Sequence, residues 1–283
     1  MQLSKITGIG RPLDPKHATN VAIVLLAILA GFVVGMRALF IGMDLLAAFI
    51  EAFNAGMTLS LGWALAREYD PDHPYAAFLA AFAMLTVTLF IQRGSLFLLV
   101  FLLVMLRFIT RTAGVSTTLL DLSAGLGLAF WLSFSMDWIF GMLAAAAYGL
   151  DGLLSEKRKL RFAFALLSLS IAAVALIRGQ GQINFAGMNI RVLALSLLFV
   201  VLSLPLLHSY RSVRSKGDSD RAVLDPQRIQ AAQVFFVAAT ALIGMKLGLQ
   251  SSGDMLASGS VIATAAVFYL LSLLLPSMPQ GEL

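Results

Sequence analysis

The chain has 283 residues, 59% of them hydrophobic and 12% charged, with a mean hydropathy of +0.89. A soluble domain carries about twice that charged fraction, so the composition argues against a water-soluble enzyme and for a surface that mostly faces lipid. The net charge of +5 then reads as basic loops rather than affinity for nucleic acid, and the absence of cysteine removes disulfides, thiolate catalysis and cysteine-ligated metals.

The first 18 residues are basic. The apolar run that follows is about 20 residues long, too long for a signal h-region, and no A-x-A site follows it closely. It reads as a retained first span. Continuing along the chain, apolar runs bounded by charge or turn residues predict ten spans: 19–40, 43–66, 74–91, 94–110, 116–134, 137–154, 161–177, 190–208, 228–249 and 257–275. The runs are continuous rather than alternating, which argues against a β-barrel. With the N-terminus in the cytoplasm, 15 of the 20 basic residues fall on cytoplasmic segments and five on outer ends. That asymmetry predicts an all-α polytopic bundle in the cell membrane, one integral domain with both termini inside. Trp131 and Trp138 at the outer turn, and Trp63, Tyr69 and Tyr75 at a cytoplasmic one, suit an aromatic belt.

Span one carries Gly31 and Gly35 as GxxxG, a close-packing motif, and ends in Arg37. Span two carries Asp44, Glu51, Asn54 and Thr58. At 100° per residue these four share a face about 80° wide. Glu51 and Asn54 fall near the predicted middle of the span. A charge there costs on the order of 2.5–3.5 kcal/mol on insertion scales, so such residues face partners or a water-filled cavity. This face is the strongest functional pointer in the chain. The alternative is a buried protonated Glu51 bonded across a helix contact.

Between spans two and three lies "REYDPDH", Arg67 to His73. Arg11, Asp14, Pro15 and His17 match it 56 residues earlier, and Arg37 recurs as Arg93 at the same offset. A looser copy, Asp225 to Arg228, precedes span nine. The simplest account is a duplicated helical hairpin in which Asp and Pro start each outgoing helix as N-cap and first residue. Capping accounts for Asp70 and for Asp72 near a helix N-terminus, and Pro74 leaves the register open, so that Asp72 could be the cap instead. Capping leaves Glu68, His73 and His17. The functional alternative is that Glu68, Asp72, His73 and His17 converge to hold a metal or a phosphate-bearing head group. The longer aspartate-rich signatures of membrane prenyltransferases are absent.

Further along, Asp121 opens span five, while Asp137 and Asp151 lie near the ends of span six. They are candidate partners for the polar face, and Arg37 or Arg93 could pair with Asp44 or Asp137. Gly141, Ala145 and Gly149 form a small-residue stripe. Pro205 is expected to kink or shorten span eight. The basic loop "YRSVRSKGDSDR" suits either anionic lipid or solvent.

The leading expectation is a secondary transporter or permease of a small solute, with Glu51 carrying a proton and Asn54, Asp44, Thr58 and Asp121 along its path. A membrane-embedded enzyme acting on a lipid or isoprenoid through the cytoplasmic acids is the second, and an accessory subunit the third. Ten spans in under 300 residues resembles the layout of drug/metabolite-type exporters, which are inverted halves of five. A repeat of same-direction hairpins runs against that analogy. No cofactor or resident metal is expected. The expected partners are the bilayer and a small solute, with a homo-oligomer left open.

Overall fold

The computed structural model describes residues 7–10, 15, 17–91, 94–113, 116–155, 158–179, 189–210, 213–217, 222–247 and 252–274. Its helices are α1 Ala18–Phe40, α2 Leu45–Tyr69, α3 Ala76–Phe90, α4 Leu96–Thr110, α5 Leu119–Ser135, α6 Ile139–Leu153, α7 Arg158–Ile177, α8 Ile190–Ser209, α9 Pro226–Leu247 and α10 Ser252–Leu274. Among the described residues, β pairing is confined to an isolated bridge between Lys216 and Val223.

Six helices, α1, α2 and α7 to α10, are long and apolar enough to cross a membrane. The other four are apolar but have 15–17 residues, about 22–26 Å at 1.5 Å per residue, below a hydrocarbon thickness of about 30 Å. They are shorter than the apolar runs because residues such as Pro74, Thr118 and Leu154 belong to turns or caps rather than helix.

Polarity is inverted relative to a soluble protein. Large apolar side chains point outward on the peripheral helices, as with Phe32 at 63%, Leu166 at 65% and Leu197 at 63% exposure, while Glu68, Asp151, Arg161 and Gln233 are buried. The first set suits lipid as solvent, and the second must find partners inside. The apolar α4 lies at the centre, with ten of its 15 residues buried, against α2, α9 and α6. Tyr69, expected in an aromatic belt, is in this core and fully buried.

Small residues set the closest helix contacts. A Cβ on Gly31 would lie 2.8 Å from the Ala52 carbonyl oxygen, and one on Gly56 3.0 Å from that of Ala27, so α1 and α2 meet backbone to backbone. Gly141 does the same against Ala172 of α7, whereas Gly149, of the same predicted stripe, meets open space. Pro205 sits inside α8, which runs on to Ser209.

The hairpin repeat does not carry over to packing. α1 packs on α2, but α3 has its main contacts with α2 and α10, and α4 with α2, α9 and α6. The Asp-Pro frame also differs between its copies. Asp14 lies outside the described residues. Asp70 ends α2, and Tyr75 holds the N-cap position of α3, so Asp70 does not start the next helix as expected. Of the two described copies, the third caps as predicted: Asp225 Oδ1 accepts the Gln227 N–H at 2.9 Å, with Pro226 as first residue of α9.

Hydrogen bonds at one end tie the C-terminal ends of α2, α4, α6 and α8 to the N-terminal ends of α7 and α9. Consecutive helices therefore alternate in direction. This is the basic end, holding Arg107, Arg111, Arg161 and Arg228. At the other end the Ser95 N–H donates to Asp254 Oδ1 at 2.5 Å, joining α4 to α10, and Lys246 lies 3.7 Å from Asp137, joining α9 to the α5–α6 turn.

Candidate functional site

The polar face of α2 opens on a cavity of about 240 Å³. It is lined by Val34 and Arg37 of α1, Glu51, Asn54, Ala55 and Thr58 of α2, Thr88 and Leu89 of α3, and Gly94, Leu96 and Phe97 where α4 begins. Sequence periodicity places Glu51, Asn54 and Thr58 along one line, rising about 10 Å over seven residues. Thr58 is buried at the inner end, Glu51 and Asn54 are half-buried, and Arg37 is exposed at the rim. An acid, an amide, two hydroxyls and a guanidinium thus surround a space whose remaining walls are apolar. That combination suits a small polar solute held by a few directed groups.

Two details differ from expectation. Asp44 is exposed and precedes the helix, where its Oδ1 accepts the Ala47 N–H at 2.8 Å as an N-cap. It does not line the cavity. Glu51 lies only about two turns into α2, because the helix continues to Tyr69. The cavity is therefore in the half of the bundle opposite the basic end. Arg93 lies outside the described residues.

The other predicted residues are placed elsewhere. Asp137 is buried beside Lys246, whose ammonium also lies 5.5 Å from the Trp138 ring centroid; its partner is this lysine rather than Arg37. Asp121 is at the basic end, forming a capping box with Thr118. It also accepts the Thr7 hydroxyl at 2.5 Å and the Gly8 N–H at 2.8 Å, fastening residues 7–10 to the bundle.

The acids of "REYDPDH" are drawn into separate clasps. Glu68 accepts from Arg107 Nε at 3.1 Å, Thr110 at 2.9 Å and Thr112 at 2.6 Å. Asp70 pairs with His73 Nδ1 at 2.9 Å and accepts the Tyr210 hydroxyl. Asp72 accepts the backbone N–H groups of Ser215 at 2.8 Å and Arg214 at 3.2 Å. The turn after α2 is thereby fastened to the segment after α8. Burial alone would lower the His73 pKa, but the hydrogen bond and charge of Asp70, with Asp72 behind it, outweigh burial and raise it. Burial first, and then the same two carboxylates, hold the Tyr210 hydroxyl well above its ordinary value. His17 is exposed at the start of α1. Among the described residues no three His, Asp or Glu side chains are grouped to hold a metal ion, so the predicted convergence of Glu68, Asp72, His73 and His17 is not formed.

Sequence reasoning left Asp151 as a span-end acid. It is instead fully buried and contacted by Arg161 of α7, Arg228 of α9 and Arg111 just after α4. Each arginine was visible as a positive-inside residue, but nothing in the order of the chain says that three of them meet. Comparison with protein-family models, curated proteins and solved structures finds no match to this chain.

Proposed function

We propose that this protein is a multi-pass membrane protein of ten spans, with both termini cytoplasmic, that works as a secondary transporter or permease of a small polar solute. The solute site is the cavity between α1, α2, α3 and α4. The observation that carries the reading is that Glu51, Asn54 and Thr58, singled out by periodicity alone, line one cavity together with Arg37. An ionisable side chain within an apolar helix is a functional candidate by default, and here it borders a cavity rather than dry packing. Glu51 is the coupling group: protonated or ionised according to the side it samples, it exchanges its proton as the solute binds or leaves. The lipid-enzyme reading gains nothing from the acids of the α2–α3 turn, since each is engaged in a clasp.

The test is proton flux in proteoliposomes loaded with a pH-reporting dye, across a panel of small cationic, zwitterionic and anionic solutes. At least one solute is expected to drive flux through the native protein. Glu51→Gln should abolish it while the folded yield is kept, and Asn54→Ala should weaken solute affinity. Native flux rates in both variants would remove the cavity from the mechanism.

A further inference from the structure

Asp151 lies in the last turn of α6 with its carboxylate 2.7 Å from Arg111 Nη2, 3.1 Å from Arg228 Nη1 and 3.3 Å from Arg161 Nε. Arginine is always charged, so among the described residues three cations meet one carboxylate. The next acid among the described residues, Asp225, is half exposed and 4.0 Å from Arg228. Two of the arginines are accounted for as ties between helix ends. Arg161 also donates to the Thr117 carbonyl and hydroxyl, and Arg228 to the carbonyls of Ile109 and Leu154.

Arg111 is different. It follows α4 in a left-handed conformation, φ 53°. Its bonds to Asp151 and Ser155 both run through Nη2, and its Nε is buried without a partner. The side chain is still 20% exposed. Burial, partly offset by Asp151 and then reinforced by repulsion from Arg228 and Arg161, lowers its pKa. Arg111 shares its one carboxylate, Asp151, with two other arginines, and excess positive charge in a partly dry site is costly unless a further anion completes it.

Beside this cluster runs an apolar groove of about 680 Å³ between α6 and α9, along Gly149, Leu150, Leu153, Ala231, Val234 and Phe235. At its basic end are Leu153 and Gln227, the immediate neighbours of Leu154, whose carbonyl accepts from Arg228, and of Arg228 itself. An apolar channel on the flank of the bundle and a surplus of positive charge thus adjoin on the same two helices.

We propose that this site binds an anionic phospholipid, with an acyl chain in the α6–α9 groove and the phosphate against Arg111 beside Arg228. The groove makes the lipid, rather than free phosphate, the fitting occupant. The site is independent of the solute cavity and requires only that the protein lie in a bilayer.

The test is the melting temperature of the full chain in neutral detergent, titrated with phosphatidylglycerol, phosphatidylcholine or inorganic phosphate. Phosphatidylglycerol is expected to give a saturable rise that the other two do not reproduce. Arg111→Gln should weaken that response about tenfold, the worth of one charge-assisted hydrogen bond, and Arg111→Lys should restore part of it. Ala231→Trp fills the groove without touching the arginines and should weaken it as well. If Arg111→Gln fails to fold, Ala231→Trp decides alone. An equal rise with phosphatidylcholine or with phosphate alone, or an unchanged response in Ala231→Trp, overturns the proposal.

Discussion

His73 stands three residues after Asp70 and shares that carboxylate with Tyr210 from 140 residues away. Its raised pKa makes the clasp sensitive to pH in a definite direction. The folded state holds the proton more tightly than the unfolded chain, whose histidine titrates near 6.5. The contribution to stability is fully present below about that pH and is lost as pH rises through the higher folded value. The melting temperature in detergent should therefore fall between mildly acidic and mildly alkaline pH, and His73→Gln should flatten that part of the profile. A profile unchanged by the substitution would show that His73 does not hold the turn. Residues of this kind divide by how local their cause is. Glu51, Asn54 and Thr58 were legible because a 3.6-residue period alone puts them on one face. Asp70 was misread as the start of α3 because its partner, Tyr210, is distant in the chain, and no local pattern announces it. The same blindness hid Asp151, whose three arginines come from α7, α9 and the end of α4.

Between helices, the α1–α2 contact is demanding, because backbone oxygens occupy the space where side chains would go. Gly31→Val would press against Ala52, whose carbonyl lies 2.8 Å from the Cβ position. Overpacking of this kind costs about 1–3 kcal/mol. Since α1 also supplies Val34 and Arg37 to the cavity, the same change should distort the solute site and reduce flux. Gly127 of α5 is the control, for a Cβ there meets nothing within 4 Å. Gly127→Ala should leave flux unchanged and raise stability by up to about 1 kcal/mol through helix propensity. Thermal unfolding of the two variants in detergent checks both signs. The GxxxG spacing made this contact foreseeable as close packing. It could not say that α2, rather than a helix elsewhere in the bundle, is the neighbour. For the same reason a motif repeat at an offset of 56 suggested two equivalent hairpins, although α4 left its hairpin partner to become the buried centre of the bundle. Hydropathy finds a helix; it does not choose its neighbours.

The number of crossings is a property of the whole molecule, and the four short helices decide it. α2 ends and α7 begins at the basic end, as Arg107 links to Glu68 and Arg161 to Asp151. That relation holds whether α3 to α6 cross the membrane or all lie on its inner side, so the location of the termini cannot separate six crossings from ten. The α5–α6 turn can. Asp137 in that turn pairs with Lys246 at the far end of α9, which predicts that the turn reaches the outer surface despite helices of only 15–17 residues. Short helices of this kind are accommodated by local thinning of the bilayer at modest cost, and the buried position of α4 relieves it of contact with lipid. The cysteine-free chain makes the measurement direct. Ser135→Cys, at an exposed position at the end of α5, should react with a membrane-impermeant maleimide in intact cells. Met43→Cys, exposed in the α1–α2 turn, should do the same, and Lys159→Cys, exposed at the start of α7, should react only after permeabilisation. If Ser135→Cys behaves like Lys159→Cys while Met43→Cys is labelled from outside, the central helices do not cross and the protein has six spans. If it is labelled together with Met43→Cys, the cavity around Glu51 lies on the outer side of a ten-span bundle, and the clasps of Glu68, Asp70 and Asp151 lie on the cytoplasmic side.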